Sequence, residues 1–163
     1  MTIRRIFVPI DFSDSSMQAL DYAIDLGRTL GSELTVLFVV EPIYFATPGD
    51  LYGTSANLGM LLEEQRRTAR DELKKLDERL KKRGIEAKTV LGSGVPHEVI
   101  VETAKTRKAD LIVMATHGRS GLSHLLMGSV TEKVVRGASC PVLTFRSSST
   151  TKPAAGRGKK KST

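Results

Sequence analysis

Residues 110–116 read DLIVMAT, and the fold turns on this stretch. Leu111, Ile112, Val113, Met114 and Ala115 are apolar in succession, with no polar position between them. A strand of that kind has both faces covered, which is how a parallel sheet sits between two helix layers. Working outward, further strand-length apolar runs appear at 3–10 (IRRIFVPI), 34–40 (LTVLFVV), 85–91 (IEAKTVL) and 140–145 (CPVLTF), with helical patterns between them. The alternation predicts an α/β fold built on a doubly wound, five-stranded parallel sheet with helices on both faces.

The intervening segments carry their own start and stop signals. FSDSSMQ, residues 12–18, predicts the first helix start, with Ser15 and Gln18 at capping-box spacing and Ser13 as a further cap. Leu20, Ala23, Ile24, Gly27 and Leu30 then share one face, and Gly31 ends the helix. The second helix is the longest: Leu62, Ala69, Leu73, Leu76 and Leu80 form its stripe, Asp71/Lys75 and Glu78/Lys82 sit at i,i+4, and Gly84 is its stop. Pro96 opens a third helix to about Arg107, and Ser129 with Glu132 predicts a capping box for a fourth that buries Val130, Val134 and Val135. Residues 41–57 show no period and read as a long loop, serving either as a lid or as a surface connection.

Composition narrows the class of protein. An apolar share of 40% and a charged share of 26% exclude collagen-like, disulfide-scaffold and wholly disordered chains. The single cysteine, Cys140, cannot close an internal disulfide, and residues 1–10 lack a signal-peptide pattern, so a cytoplasmic location is expected. No apolar run reaches the roughly 18 residues that span a bilayer, so no membrane partner is expected. The net charge of +7 invites a nucleic-acid reading, but six of those charges lie in residues 146–163, which hold no acid. This predicts one folded domain over 1–145 and a disordered basic tail over 146–163. With no aromatic side chain for base stacking, the tail offers only non-specific phosphate contact to a nucleic acid, and a plain solvated tail explains it equally well.

The densest chemical signal is ATHGRSGLSHLLMGSVTEK, residues 115–133, running from the end of a strand into a helix. Gly118, Gly121 and Gly128 supply either turns or exposed backbone N–H groups, and a helix N-terminus beside such a loop suits a phosphate, with Ser129 and Thr131 adding hydroxyl donors. Neither the Walker A pattern nor the G-x-G-x-x-G dinucleotide fingerprint is present. His117 and His124 have no carboxylate or cysteine beside them and make a poor metal pair, so no metal site is expected. Cys140, followed by Pro141, reads as a structural thiol, and no nucleophilic triad or paired-carboxylate pattern points to a catalytic residue.

These residues resemble the universal stress protein family. Its nucleotide-binding members share the signature G-x2-G-x9-G-[ST], and Ala115, Gly118, Gly128 and Ser129 fall on it with the spacing intact. SVTEKVVRGASCPVLTF and the N-terminal IFVPIDFSDSS extend the likeness over roughly residues 3–145. The resemblance implies a Rossmann-like sheet of order 3-2-1-4-5, with ATP or AMP bound at its switch point and Mg2+ as an optional companion. It further implies that Pro9, Ile10 and Asp11 line the adenosine pocket, that Val39 or Val40 packs on the base, and that Met114 closes the other side. The phosphates would lie over Gly118, Gly128, Ser129, Val130 and Thr131, with His117 and Arg119 within reach.

One departure stands out: Ala115 occupies the position of the family's first glycine, where an αL backbone or a close approach would be disfavoured by its methyl. Asp11 reads equally as a helix N-terminal acid. Adenylating enzymes of similar topology carry a serine-glycine-glycine loop after the first strand, and VPIDFSDSS stands in its place here. The implied function is a nucleotide-dependent stress-response regulatory module, at most a slow ATPase, that pairs as a homodimer through residues 141–146 and acts on a downstream protein. The alternative is a dimeric interaction module of the same fold that does not bind nucleotide.

Overall fold

The computed structural model describes residues 2–41, 55–116 and 127–146, and the side chains of 55–58 are left aside. The elements are β1 (Arg5–Ile10), α1 (Asp14–Leu30), β2 (Glu33–Val40), α2 (Ser55–Lys82), β3 (Ala87–Ser93), α3 (Pro96–Thr106), β4 (Leu111–Ala115), α4 (Ser129–Gly137) and β5 (Val142–Phe145). All five strands run parallel in the order β3-β2-β1-β4-β5, as the resemblance implies.

Strand alternation divides the core between two layers. Ile6, Val8 and Ile10 of β1, with Leu34 and Val36 of β2, pack beneath Leu20 and Ile24 of α1 and Leu73, Leu76 and Leu80 of α2. Phe7, Leu37, Ile112 and Met114 face the other way, onto Ile100 and Ala104 of α3 and Val134 of α4. This two-sided burial is why the β4 run is apolar at every position.

The helix stops stand where the sequence places them. Gly31 and Gly84 both adopt left-handed φ, +65° and +68°, and the Ile85 N–H reaches back to the Leu80 carbonyl at 2.9 Å to close α2. The starts differ. The α1 cap is Ser13, whose Oγ accepts from the Ser16 N–H at 3.2 Å, so Ser15 lies inside the helix and the box with Gln18 does not form the cap. The α4 cap is Gly128, which has no side chain to give, so the Ser129–Glu132 capping box is absent too. On α4 the buried positions are Thr131 and Val134, while Val135 is exposed. Nine residues give α4 only a narrow apolar seam, and Val135 falls outside it. On α2, Lys75 pairs with Glu72 at 2.8 Å instead of with Asp71, and Lys81 pairs with Asp77 at 2.7 Å.

Most of the 41–57 loop, and the tail after 146, lie outside the described residues; α2 itself begins at Ser55, inside the span read as loop. Among the described residues no helix is long and apolar enough to cross a membrane.

Candidate functional site

The site begins with a proline. The Arg5 carbonyl accepts from the Asp110 N–H at 2.9 Å, so odd positions of β1 turn their backbone groups toward β4. Pro9 is the next but one on that side and has no N–H to give. Pairing between β1 and β4 accordingly stops at Phe7↔Ile112, while β1 and β2 stay in register to Ile10↔Phe38. A crevice opens between the two central strands at their C-terminal ends, where the chain reverses its winding direction.

The crevice is the mouth of a cavity of ≈ 930 Å³. Pro9, Ile10 and Asp11 line it from β1, Val39 and Val40 from β2, Met114 and Ala115 from β4, and Gly128, Ser129, Val130 and Thr131 from the start of α4. His117, Gly118 and Arg119 lie outside the described residues. Phe12, Phe38, Glu41, Pro96, Ile100 and a row along α2 that includes Leu61, Glu64, Gln65, Thr68 and Glu72 complete the wall. Of these, Gln65 had a legible signal: it stands four residues before Ala69, a polar residue on an otherwise apolar stripe.

The loop after β1 is tightly tied. Asp11 Oδ1 accepts from the Ser13 N–H at 3.0 Å and from Ser13 Oγ at 2.6 Å, which makes the Asp11 carboxylate part of the turn that starts α1. Ser16 Oγ donates to the Ser13 carbonyl at 3.0 Å and accepts from the Asp11 N–H at 3.3 Å. Between them Phe12 sits at φ +62°, a conformation bulky L-residues disfavour. Its ring packs edge-on against Phe38 with centroids 4.9 Å apart.

On the opposite side, Thr131 Oγ1 donates to the Ala115 carbonyl at 2.9 Å, and the Gly128 N–H donates to the Thr116 carbonyl at 2.8 Å. The Thr131 hydroxyl expected as a phosphate donor thus braces α4 against the end of β4 in this structure. What α4 turns to the cavity is Ser129, whose hydroxyl the sequence also offered as a donor, and its first-turn backbone: the Ser129, Val130 and Thr131 N–H groups precede the first intrahelical bond, Glu132 N–H to the Gly128 carbonyl. Ala115 is the last residue of β4, paired with Phe145, and is not among the positive-φ residues. The substitution thus adds a methyl to the cavity wall without straining the backbone.

The lining is electrostatically uneven. Asp11, Glu41, Glu64 and Glu72 contribute carboxylates, and no described lining residue is basic. The hydrogen bond and charge of Lys75 hold the Glu72 carboxyl below its usual range. Among the described residues no group of three or more His, Cys, Asp or Glu side chains stands ready for a metal ion. Burial, reinforced by the Asp110 charge, raises the Cys140 thiol pKa and so disfavours the thiolate.

A five-stranded, doubly wound α/β domain with a cleft at its switch point, fronted by a helix N-terminus without a side-chain cap, has the architecture of the Rossmann-like class. Within that class, the universal stress protein family model matches residues 2–146. The chain belongs to the universal stress protein family. A universal stress protein of Methanocaldococcus jannaschii is 37% identical over 144 residues, covering 88% of this chain and 82% of that one. The structure of the universal stress protein UspA from Lactobacillus plantarum superposes with a TM-score of 0.76 at 28% identity, covering 90% of this chain and 99% of that one. A universal stress protein solved in complex with cAMP matches with a TM-score of 0.66 at 25% identity, covering 91% of this chain and 100% of that one.

Proposed function

We propose that this protein binds an adenine nucleotide, ATP or AMP, in the switch-point cavity and serves as a nucleotide-dependent stress-response regulatory module. The observation that carries the reading is the juxtaposition of an apolar slot, Val39, Val40 and Met114, with the open first turn of α4 in one cavity. The slot suits a purine ring, and the three first-turn N–H groups at the positive end of the helix dipole suit phosphate oxygens. The cAMP-bound relative supports the same ligand class. Gly118, with His117 and Arg119, belongs to the phosphate side of this reading, and Mg2+ would accompany a triphosphate.

Turnover is slow or absent on this reading. Phosphoryl transfer needs a cation aimed at the γ-phosphate and an acid to hold the metal. Asp11, the acid nearest the crevice, already accepts two hydrogen bonds from Ser13.

The unpaired edge of β5, whose one described neighbour is β4, supports homodimer formation through residues 141–146. The reading also includes a cytoplasmic location, a folded unit over 1–145 and a solvated basic tail after it. A second reading, a dimeric interaction module without nucleotide, draws on the Ala115 methyl and on the four cavity carboxylates.

Calorimetric titration with ATP and Mg2+, beside Gly128→Arg and a long incubation assayed for ADP, separates the two. Gly128 has φ −59°, which any L-residue adopts, so the arginine fills the phosphate end without backbone strain. Binding that disappears in Gly128→Arg, with no ADP formed, supports the nucleotide module. Absence of heat and of any co-purified nucleotide moves the assignment to the interaction module.

A further inference from the structure

We infer that Gly92 sets the width of the apolar slot: lacking a Cβ, it lets α3 settle onto the sheet, and α3 in turn brings Pro96 and Ile100 into the cavity wall. The inference rests on the adenine-nucleotide reading above. Gly92 pairs with Val39, a residue of the slot, and lies two positions after Val90, so it stands on the α3/α4 side of β3. A Cβ built on Gly92 would meet Val99 Cγ1 of α3 at 2.6 Å, far inside contact distance, and Val39 Cγ2 at 3.5 Å, an ordinary contact. Neither Gly92 nor Val99 lines the cavity, so Gly92 is a positioning residue that acts through the helix.

Val99 has little freedom to turn aside. Its other methyl, Cγ2, faces Gly94, where a Cβ would come to 3.1 Å, and valine in a helix keeps essentially one χ1 rotamer. The Gly94 N–H donates to the Val40 carbonyl at 3.1 Å, which fixes the turn beneath the helix. Pro96 and Ile100 stand one turn apart on α3 beside Val99, and Ile100 packs in the same cluster as Met114 and Val39. A methyl at 92 therefore lifts α3 and draws Pro96 and Ile100 back from the slot. Backbone conformation gives no reason for this glycine, since Gly92 is not among the positive-φ residues and a glycine inside a strand weakens it relative to alanine. The close approach of Val99 gives one.

The test titrates the full chain with ATP and with AMP, for wild type, Gly92→Ala, Val99→Ala and the double variant, with thermal melts of the ligand-free proteins alongside. Gly92→Ala is expected to bind both nucleotides about tenfold more weakly, because both carry the same base. Val99→Ala alone, which removes no cavity wall, stays within about twofold of wild type, and the double variant returns to that range because the new Cβ takes the space the valine methyl leaves. The melts follow the same coupling: Gly92→Ala lowers the melting temperature in the wild-type background and holds or raises it beside Val99→Ala. A merely structural glycine would show the coupled melts and leave both affinities alone. Should Gly92→Ala not fold, Val99→Ile, which enlarges the same contact from the helix side, is read for the same loss of affinity. Unchanged affinities, a loss confined to ATP, or no recovery in the double variant overturns the assignment and leaves the nucleotide site standing; failure of wild type to bind either nucleotide overturns both.

Discussion

Thr131→Val isolates the strut that holds α4 to the end of β4. Valine keeps the branched shape and volume of threonine and deletes one hydroxyl, so packing against the α3/α4 side of the sheet is unchanged. The deleted bond spans 2.9 Å to the Ala115 carbonyl, and both residues are nearly inaccessible, Thr131 at 4% and Ala115 at 7%. Water cannot readily replace the lost donor, so the variant bears the cost of a buried carbonyl short of a partner, about 2 kcal/mol. For a domain of this length that corresponds to a fall of roughly 4 to 8 °C in melting temperature.

Circular dichroism melts of the ligand-free protein measure it, with Thr131→Ser as the control that keeps the hydroxyl and loses only a methyl. Thr131→Ser is expected to melt well above Thr131→Val. The reasoning is refuted if Thr131→Val melts within about 1 °C of wild type yet loses nucleotide affinity. That outcome would mean the hydroxyl serves the ligand and not the backbone.

Two further changes test the framework around the site. At Phe12 the φ of +62° reverses the usual order of small residues: Phe12→Gly should be more stable than Phe12→Ala by about 1 kcal/mol, because both lose the Phe38 contact but only glycine is at ease there. Chemical denaturation of the pair measures it, and alanine proving the better residue would show that the turn relaxes out of the left-handed region. At the far end of the sheet, the Asp110 carboxylate accepts from the Arg5 guanidinium and from the Arg4 and Arg5 N–H groups, which hold its pKa below the ordinary value. A lowered folded-state pKa contributes stability that is present above the unfolded value of about 3.9 and is lost as pH falls through the folded value. Asp110→Asn should therefore flatten the acid limb of melting temperature against pH below about 4, and an acid limb identical to wild type would show that other carboxylates set it.

The parts of this protein that were legible in the sequence are those written in neighbouring residues. The consecutive apolar positions of β4 require two covered faces, the α2 stripe has the period of a helix, and Gly31 and Gly84 relieve the left-handed turn that ends a helix. Pro9 also carries its consequence locally, since a residue without an N–H cannot extend the ladder to β4. Tertiary structure decided what those groups face. Ser13, not Ser15, caps α1 because its Oγ lies at the Ser16 N–H, and a capping pattern alone does not choose between adjacent serines. Thr131 reads as a phosphate donor until the fold brings the carbonyl of Ala115, sixteen residues earlier, within 2.9 Å of its hydroxyl. Gln65 reads as an interruption of an apolar stripe until packing sets it in the wall of the same cavity as Val39 and Met114. Periodicity and caps depend on a few residues along the chain, whereas a hydroxyl or an amide has no fixed meaning until distant backbone is placed around it.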